Sequence, residues 1–489
     1  MSLEWEEIYQ MYVHLSHNTA LSIDRWDVAR VTINMLPDIA LLEIFDFFLG
    51  EGRNEQDVKI QAWYRLVHVC RKWRDIVFGS PRRLDLQLLC TPRSTVRVTL
   101  DVWPPLPIII YARNYPMRGL DNIIPVLEHN DRISQLRLLY IPYLLLDKFL
   151  NLPEMQAPFP ALTRLKLQSR DEKVPVVPTS FLGKSAPCLQ RLTLDRIPFP
   201  GLPKLLLSAS HLVWLNLQRI PHSGYISPEA MATCLSVLTR LKCLNIEFKS
   251  PRSRPERKSR RPPPQTRILL PVLVKMCFHG VSEYLEDLVA QIDTPLLNKL
   301  LIHFFHQLIF DTPQLTQFIS RTPKLKVYNL ATLYFSSWDA MIIVSGFDGS
   351  LQLGIICSQS DWQLSSVVQF FSSSFLPALD HSLEILQIGE NGSSGPRWQD
   401  DIESSQWLEL LQPFTAVRTL CISREFVPRI APTLQELVGG RVVEVLPALQ
   451  GLFLEGVLPP RPVQEAIGKF IAARQLAGHP ITISQWEKE

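Results

Sequence analysis

Hydrophobic positions recur in this chain with two different periods, and each period has its own territory. Between Ile133 and Leu454 the pattern L-x-x-L-x-L, with Ile, Val or Tyr as occasional substitutes, appears ten times: ISQLRL, LTRLKL, LQRLTL, LVWLNL, LKCLNI, LNKLLI, LKVYNL, LEILQI, VRTLCI and LQGLFL. Its fourth positions are Leu136, Leu165, Leu192, Leu215, Leu244, Leu300, Tyr328, Leu386, Leu420 and Leu452, spaced 23 to 34 residues apart except for near-doubles of 56 and 58. Each near-double holds a weaker candidate, LVKMCF at 273–278 and LQL at 351–353, and upstream LDL at 84–86 and III at 108–110 continue the spacing. Alternation within L-x-L predicts a strand with one buried face. A repeat this long has room for one short strand and a return segment, often helical. Such a unit cannot bury its apolar face alone, so neighbours must stack.

Two details refine the repeat. Pro160, Pro187, Pro295, Pro323 and Pro447 each stand two residues before the first Leu of a pattern, which predicts a strand entry, where a missing N–H costs least. The positions flanking the buried pair should line the opposite strand face: Arg164, Lys166, Gln168, Arg191, Trp214, Asn216, Gln218, Asn245, Glu247, His303, Asn329, Gln387 and Phe453. A mixed polar row with occasional aromatics suits protein recognition, and it is also what any solvated sheet face looks like.

The array resembles the leucine-rich repeat over about residues 82–460. That family carries Asn three residues after the last Leu of the pattern; here only Asn391 fits, and Ile141, Ile197, Ile220, Phe305, Leu333 and Val457 fill six of the ten positions. The resemblance therefore implies an α/β fold, a leucine-rich-repeat solenoid forming an irregular horseshoe with turns packed by hydrophobes.

Ahead of the array the period is helical. In LVHVCRKWRDIVFGSP, extended backwards, Trp63, Leu66, Cys70, Trp73 and Val77 follow helical spacing and predict one apolar seam along one helix. Gly79 and Pro81 predict its end, Gly79 as a left-handed cap. Taken alone, such a seam reads as a helix facing a core. Before it, MLPDIALLEIFDFFL places Pro37 in a first helical turn and Asp38 near the positive helix end, followed by a wide face of Ile39, Leu42, Ile44, Phe45, Phe48 and Leu49.

Together these segments resemble the F-box, a small all-α module. The matching residues are Leu36, Pro37, Ile39, Ile44, Phe45, Leu49, Val69, Cys70, Trp73 and Arg74. The link from Leu49 to Trp63, with GEGRNEQD, is longer and more polar than the family's short turn and reads as an exposed loop. Before leucine-rich repeats, a pairing the family is known for, the resemblance implies that Leu36, Pro37, Ile39, Ile44, Phe45, Leu49, Val69, Cys70 and Trp73 dock on a Skp-type linker protein that bridges to a cullin scaffold. The expected organisation is an N-terminal extension (1–33), an F-box-like domain (34–81), the repeat domain (82–460) and a C-terminal cap (461–489).

Composition fits this picture. An apolar content of 46% with 20% charged residues is that of a folded chain with a large core. The 39 prolines in 489 residues imply many boundaries between short elements. A net charge of +3 favours no particular partner. The N-terminus reads as no secretory signal, and no apolar run is long enough for a membrane span. The eight scattered cysteines, without a C-x-x-C pair, read as reduced and mostly buried. Cytoplasm, nucleus or both is the expected location.

Other chemistry is thin. KSPRSRPERKSRRPPPQTR at 249–267 interrupts the array and reads as a solvated, disordered basic insert, or as an import signal or anionic contact. Without interleaved aromatics, base-specific nucleic-acid binding is disfavoured. GENGSSGP lacks the Lys-Ser/Thr ending of a phosphate loop. HFFH at 303–306 has no nearby carboxylate or Cys to complete a metal site. No catalytic motif, cofactor or metal is expected. The expected role is a non-catalytic substrate adaptor of a cullin-based ubiquitin ligase, with Arg164, Lys166, Arg191, Trp214, Asn216, Asn245, Asn329 and Phe453 meeting an unidentified target protein. The alternative is a repeat scaffold or inhibitor whose F-box-like helices only cap the solenoid.

Overall fold

The computed structural model describes residues 33, 36–50, 62–93, 100, 103–113, 122–172, 175–255, 266–305, 312–357, 360–371, 383–390, 404–437, 439–456 and 461–486. The chain divides into two compact units, Met1–Leu88 and Leu89–Glu489. The N-terminal extension (except residue 33), the 51–61 link, residues 256–265 of the basic insert, His306, Asn391 and Val457 lie outside the described residues.

The first unit holds three helices, α1 (Asp38–Gly50), α2 (Ala62–Val67) and α3 (Arg71–Gly79). The single seam helix expected over 63–77 is two helices. The chain turns at 68–69, and Cys70 is the extended N-cap of α3 (φ −158°), its sulfur accepting the Trp73 N–H at 3.5 Å. A half-buried thiol accepting one orphan N–H lets α3 start afresh, and Arg74 closes the break by donating from Nε to the Val67 carbonyl at 3.0 Å. Gly79 is the last helical residue of α3 and not a left-handed cap; Ser80 caps the helix at φ −129°. Leu41, Phe45, Trp63, Leu66, Val67, Ile76 and Val77 are buried. Trp63 donates to the Gln87 carbonyl at 3.0 Å.

The second unit is mixed α/β. Its strands are β1 (Leu88–Cys90, at the unit boundary), β2 (Ile108–Arg113), β3 (Ile133–Ile141), β4 (Arg164–Ser169), β5 (Arg191–Asp195), β6 (Trp214–Ile220), β7 (Cys243–Phe248), β8 (Ile268–Leu269), β9 (Lys275–Gly280), β10 (Ile292–Asp293), β11 (Lys299–Phe305), β12 (Leu330–Phe335), β13 (Asp339–Ser345), β14 (Ser350–Ile356), β15 (Ile385–Glu390), β16 (Thr419–Ile422), β17 (Gly451–Glu455) and β18 (Thr482–Trp486). Helices between them are α4 (Tyr143–Leu150), α5 (Leu202–Ser208), α6 (Pro228–Leu235), α7 (Ser282–Val289), α8 (Pro313–Arg321), α9 (Ser360–Phe370), α10 (Ser404–Leu411), α11 (Val427–Gln435) and α12 (Arg461–Leu476). Sixteen strands form one open, mostly parallel sheet in the order β1-β2-β3-β4-β5-β6-β7-β9-β11-β14-β13-β12-β15-β16-β17-β18, while β8 and β10 pair separately.

The register explains why the repeats stack. Ile110, Leu136, Leu165, Leu192, Leu215, Leu244, Met276, Leu300, Leu351, Val344, Ala331, Leu386, Leu420 and Leu452 align as one row across the sheet, all buried. A second buried row runs two residues on, through Leu138, Leu167, Leu194, Leu217, Ile246, Phe278 and Ile302. Each fully buried Leu contributes about 1.5–3 kcal/mol of transfer free energy. Aromatics from the helices seal this face: Tyr284 of α7 lies 4.7 Å from Phe248 and 5.8 Å from Phe278.

Two strand expectations are corrected. LDL at 84–86 is turn, and β1 begins at Leu88. Tyr328 is buried but precedes its strand, whose two row positions are Ala331 and Leu333. The cause is an antiparallel meander, β12-β13-β14, that fills the second near-double interval. Its tight turn brings Gly346 and Gly349 against the Val327 and Lys324 carbonyls, where any Cβ would collide, so residues 324–328 serve as a platform and the strand starts at Leu330. The C-terminal cap also carries one more parallel strand, β18.

The prolines ahead of the repeats do not enter strands. Each sits at the second position of a β-turn closed by the first Leu: Leu162 N–H to Phe159, Leu189 to Ala186, Leu297 to Thr294, Leu325 to Thr322 and Leu449 to Leu446. Proline's fixed φ suits that position. Neighbouring elements also cap one another. Glu286 of α7, buried, accepts from the Gln314 and Leu315 N–H groups (2.9 and 2.7 Å) at the start of α8. Arg474 of α12, fully buried, donates to the carbonyls of Val442, Leu446, Pro447 and Leu449.

Candidate interaction surfaces

α1 is apolar on nearly every side, yet it buries only one. Leu41 and Phe45 face the core, while Ile39 (70% exposed), Ile44, Phe47 (68%) and Phe48 stand in solvent. Ile44 lies three and four residues before Phe47 and Phe48, so the three make one patch. Val69, at the α2–α3 turn, is 57% exposed. Leu36, Leu49, Cys70 and Trp73 are half-buried and Pro37 is exposed. Of the linker-binding residues expected from sequence, Phe45 alone is wholly internal, its ring 4.7 Å from that of Trp73. It supports Trp73 and leaves surface contact to the others. The Trp73 indole N–H is enclosed and finds no acceptor among the described residues. Lys72 ties α3 to the start of α1, donating to the Leu36 carbonyl at 2.9 Å beside Asp38 at 3.5 Å. Phe47 was missed by the sequence reading because its position in an all-round apolar helix does not tell which side is covered.

The second surface is the sheet face opposite the buried rows. One row runs Gln135, Arg164, Arg191, Trp214, Cys243, Lys275 and Lys299; beside it runs Tyr111, Arg137, Lys166, Thr193, Asn216, Asn245 and Cys277. The expected residues Arg164, Lys166, Arg191, Trp214, Asn216 and Asn245 thus come together on adjacent strands. Phe453 lies far along the same sheet, on β17, folded over Gly451. Asn329 precedes β12, where its carbonyl accepts from the Glu384 and Ile385 N–H groups; it belongs to no strand row. Arg137 was missed although it occupies the middle position of L-R-L, as Lys166 does of L-K-L.

Charge is unevenly spread over this face. Arg137 is only 8% exposed and stacks over the Tyr111 ring at 4.9 Å. Burial, then the neighbouring Arg137 and Arg191, pull the Arg164 pKa below its ordinary value; burial, then Arg137 and Arg164, do the same for Lys166. Farther along the strands, buried Asp195 accepts from Arg219 (Nε, 2.7 Å) and from Gln168 (2.7 Å). Asn245 donates to Asn216 at 2.7 Å, extending an amide ladder. Next to it His279 and His303 pair across β9 and β11, ring centroids 5.9 Å apart, with Glu247 3.9 Å from His279. Burial, then His303, push the His279 pKa down to about 4.

Among the described residues no group of three or more His, Cys, Asp or Glu is arranged to hold a metal ion, and no helix is long and apolar enough to cross a membrane. The eight cysteines form no disulfide. Burial raises the thiol pKa of Cys234 and Cys421 to about 11, which keeps both as inert thiols. No protein-family model matches the chain, and no curated protein matches it either.

Proposed function

We propose that the chain is a non-catalytic substrate adaptor of a cullin-based ubiquitin ligase. In this reading the first unit is an F-box-like module that docks on a Skp-type linker protein. The second is a leucine-rich-repeat solenoid that holds a target protein on its exposed strand face. The observation that carries it is the apolar surface of the first unit: Ile39, Ile44, Phe47, Phe48 and Val69 are exposed, and Trp73 is half-buried. A small module gains nothing for its own stability from those side chains in water. A protein interface would bury them, with aromatic anchors dominating the binding free energy. The two in-register buried rows of the second unit support the repeat reading, since each strand-plus-return unit completes its core only against its neighbours. The work of such an adaptor is positional, raising the effective concentration of a tethered target near an enzyme supplied by other subunits.

Co-purification of the full chain with a Skp-type linker tests this. The variant Ile39→Asp/Ile44→Asp/Phe47→Asp alters exposed positions only, so its circular dichroism should match wild type while linker binding falls by at least about a hundredfold. A folded wild-type chain that fails to bind at micromolar concentrations would overturn the adaptor reading and leave the repeat scaffold or inhibitor in its place.

A further inference from the structure

The sheet face carries a compact cationic site whose partner chemistry can be specified. Register puts Arg137 beside Lys166 and Arg164 beside Arg191 on β3, β4 and β5. Adjacent strands lie about 4.8 Å apart and alternate residues about 7 Å apart. Four cationic side chains therefore share a patch about 10 Å by 7 Å, on a half-buried face where charge–charge interactions are stronger than in bulk water. Burial first, and then the neighbouring cations, pull the Arg164 and Lys166 pKa values below their ordinary range, which fits this crowding. Folding concentrates like charge here, and such a patch attracts an anionic partner.

The surroundings say which anion. Trp214, 39% exposed, flanks Arg191 in register, and Thr193, Asn216 and Asn245 continue the neighbouring row with hydroxyl and amide groups suited to a peptide backbone. Towards the strand ends the patch gives way to the buried Asp195–Arg219 pair and to Glu247, so a long polyanion would leave the basic patch within a few residues. Nucleic acid needs a continuous basic track. An extended polypeptide with acidic groups on alternate residues, about 7 Å apart, matches the Arg164/Lys166 spacing along one strand.

We infer that Arg164, Lys166 and Arg191, backed by the buried charge of Arg137 and with Trp214 beside them, form a recognition site for a short acidic segment of a partner protein, its carboxylates or phosphates held by the guanidinium and ammonium groups of the three exposed or half-buried cations. This rests on the proposed role of the strand face in capturing a target; it does not need the linker.

The test is fluorescence anisotropy of the full chain with three labelled peptides: alternating Asp and Gly, the same with phosphoserine for Asp, and the same with Lys. Binding of either acidic peptide, weakened by salt and absent for the Lys peptide, is expected; which acidic peptide binds tighter assigns carboxylate or phosphate. Arg164→Ala/Arg191→Ala should weaken it by about tenfold or more, with Arg164→Lys intermediate. Lys275→Ala/Lys299→Ala and deletion of 256–265 should leave it unchanged. Failure of both acidic peptides to bind would overturn the inference, as would indifference to Arg164→Ala/Arg191→Ala, loss on deleting 256–265, or tighter binding of oligo-dT at the same residues. Linker co-purification run on the same samples separates the two proposals. Retained linker binding without peptide capture sinks only this one, and peptide capture without linker binding sinks only the adaptor role.

Discussion

His279 shows how far one residue's environment departs from what its letter suggests. It is three-quarters buried between strands, with Glu247 and His303 as its titratable neighbours, and it stays neutral at physiological pH because burial disfavours the imidazolium. Its folded pKa, about 4, lies below the 6.5 of a solvent-exposed imidazole. As pH falls through that window the unfolded chain takes up the proton first, and stability is lost. Between pH 7 and pH 4, wild type should lose about 2–3 kcal/mol more than His279→Gln, read from urea midpoints at each pH. Equal losses would show that the proton is taken up elsewhere. The sequence displays the two histidines, 279 and 303, 24 residues apart with nothing to pair them; only the register of β9 on β11 does so. Conversely, Arg164, Lys166 and Arg191 were legible as outward residues because strand alternation fixes the face. Arg137 follows from the same rule.

At the scale of elements, the buried strand rows were the most legible feature, since L-x-L reports one face of a strand and repeats with the fold's own spacing. Turn chemistry was harder to read. Proline two residues ahead of a strand's first Leu marks the second position of a β-turn, and Pro187→Ala should therefore cost about 0.4–1 kcal/mol through the freer unfolded chain, measured by thermal or urea denaturation. No loss would mean that the turn is fixed by Leu189 burial alone. The α2–α3 break escaped the periodicity because Trp63, Leu66, Cys70, Trp73 and Val77 keep helical offsets across it; a Cys sulfur acting as an N-cap carries no familiar sequence signal. The meander was missed for a related reason, since LATLYF and DAMIIVS lack the L-x-L spelling while their turns, SSWD and GFDG, read as ordinary loop. Gly349→Ala, which sets a methyl against the Lys324 carbonyl, should destabilise the second unit by about 1–3 kcal/mol. An unchanged urea midpoint would show that the turn yields freely.

For the molecule as a whole, two units with different periodicities carry two surfaces of different character, one apolar and one cationic. If both proposals hold, association through the apolar one is insensitive to ionic screening, while capture by the cationic one is steerable and reversible. The expected loss of linker binding in the Asp-substituted α1 and the expected loss of acidic-peptide binding in the Arg-to-Ala sheet variant therefore fall in separate samples and under separate salt dependences. How much of each surface is exposed was not legible beforehand, because exposure is decided by packing between segments far apart in sequence.

The β12-β13-β14 meander has a consequence of parity. A parallel array advances with each strand running the same way, and its crossovers keep one hand on one face of the sheet. One strand or three restore that running direction; two would reverse it and drive every later crossover to the opposite face. Because the insertion is three strands long, β14 continues β11 and β15 continues β12 in parallel, and the buried row passes through Leu351, Val344 and Ala331 without a gap. The three-strand step keeps the array's direction, and the near-double spacing at this point of the chain is the mark it leaves in the sequence.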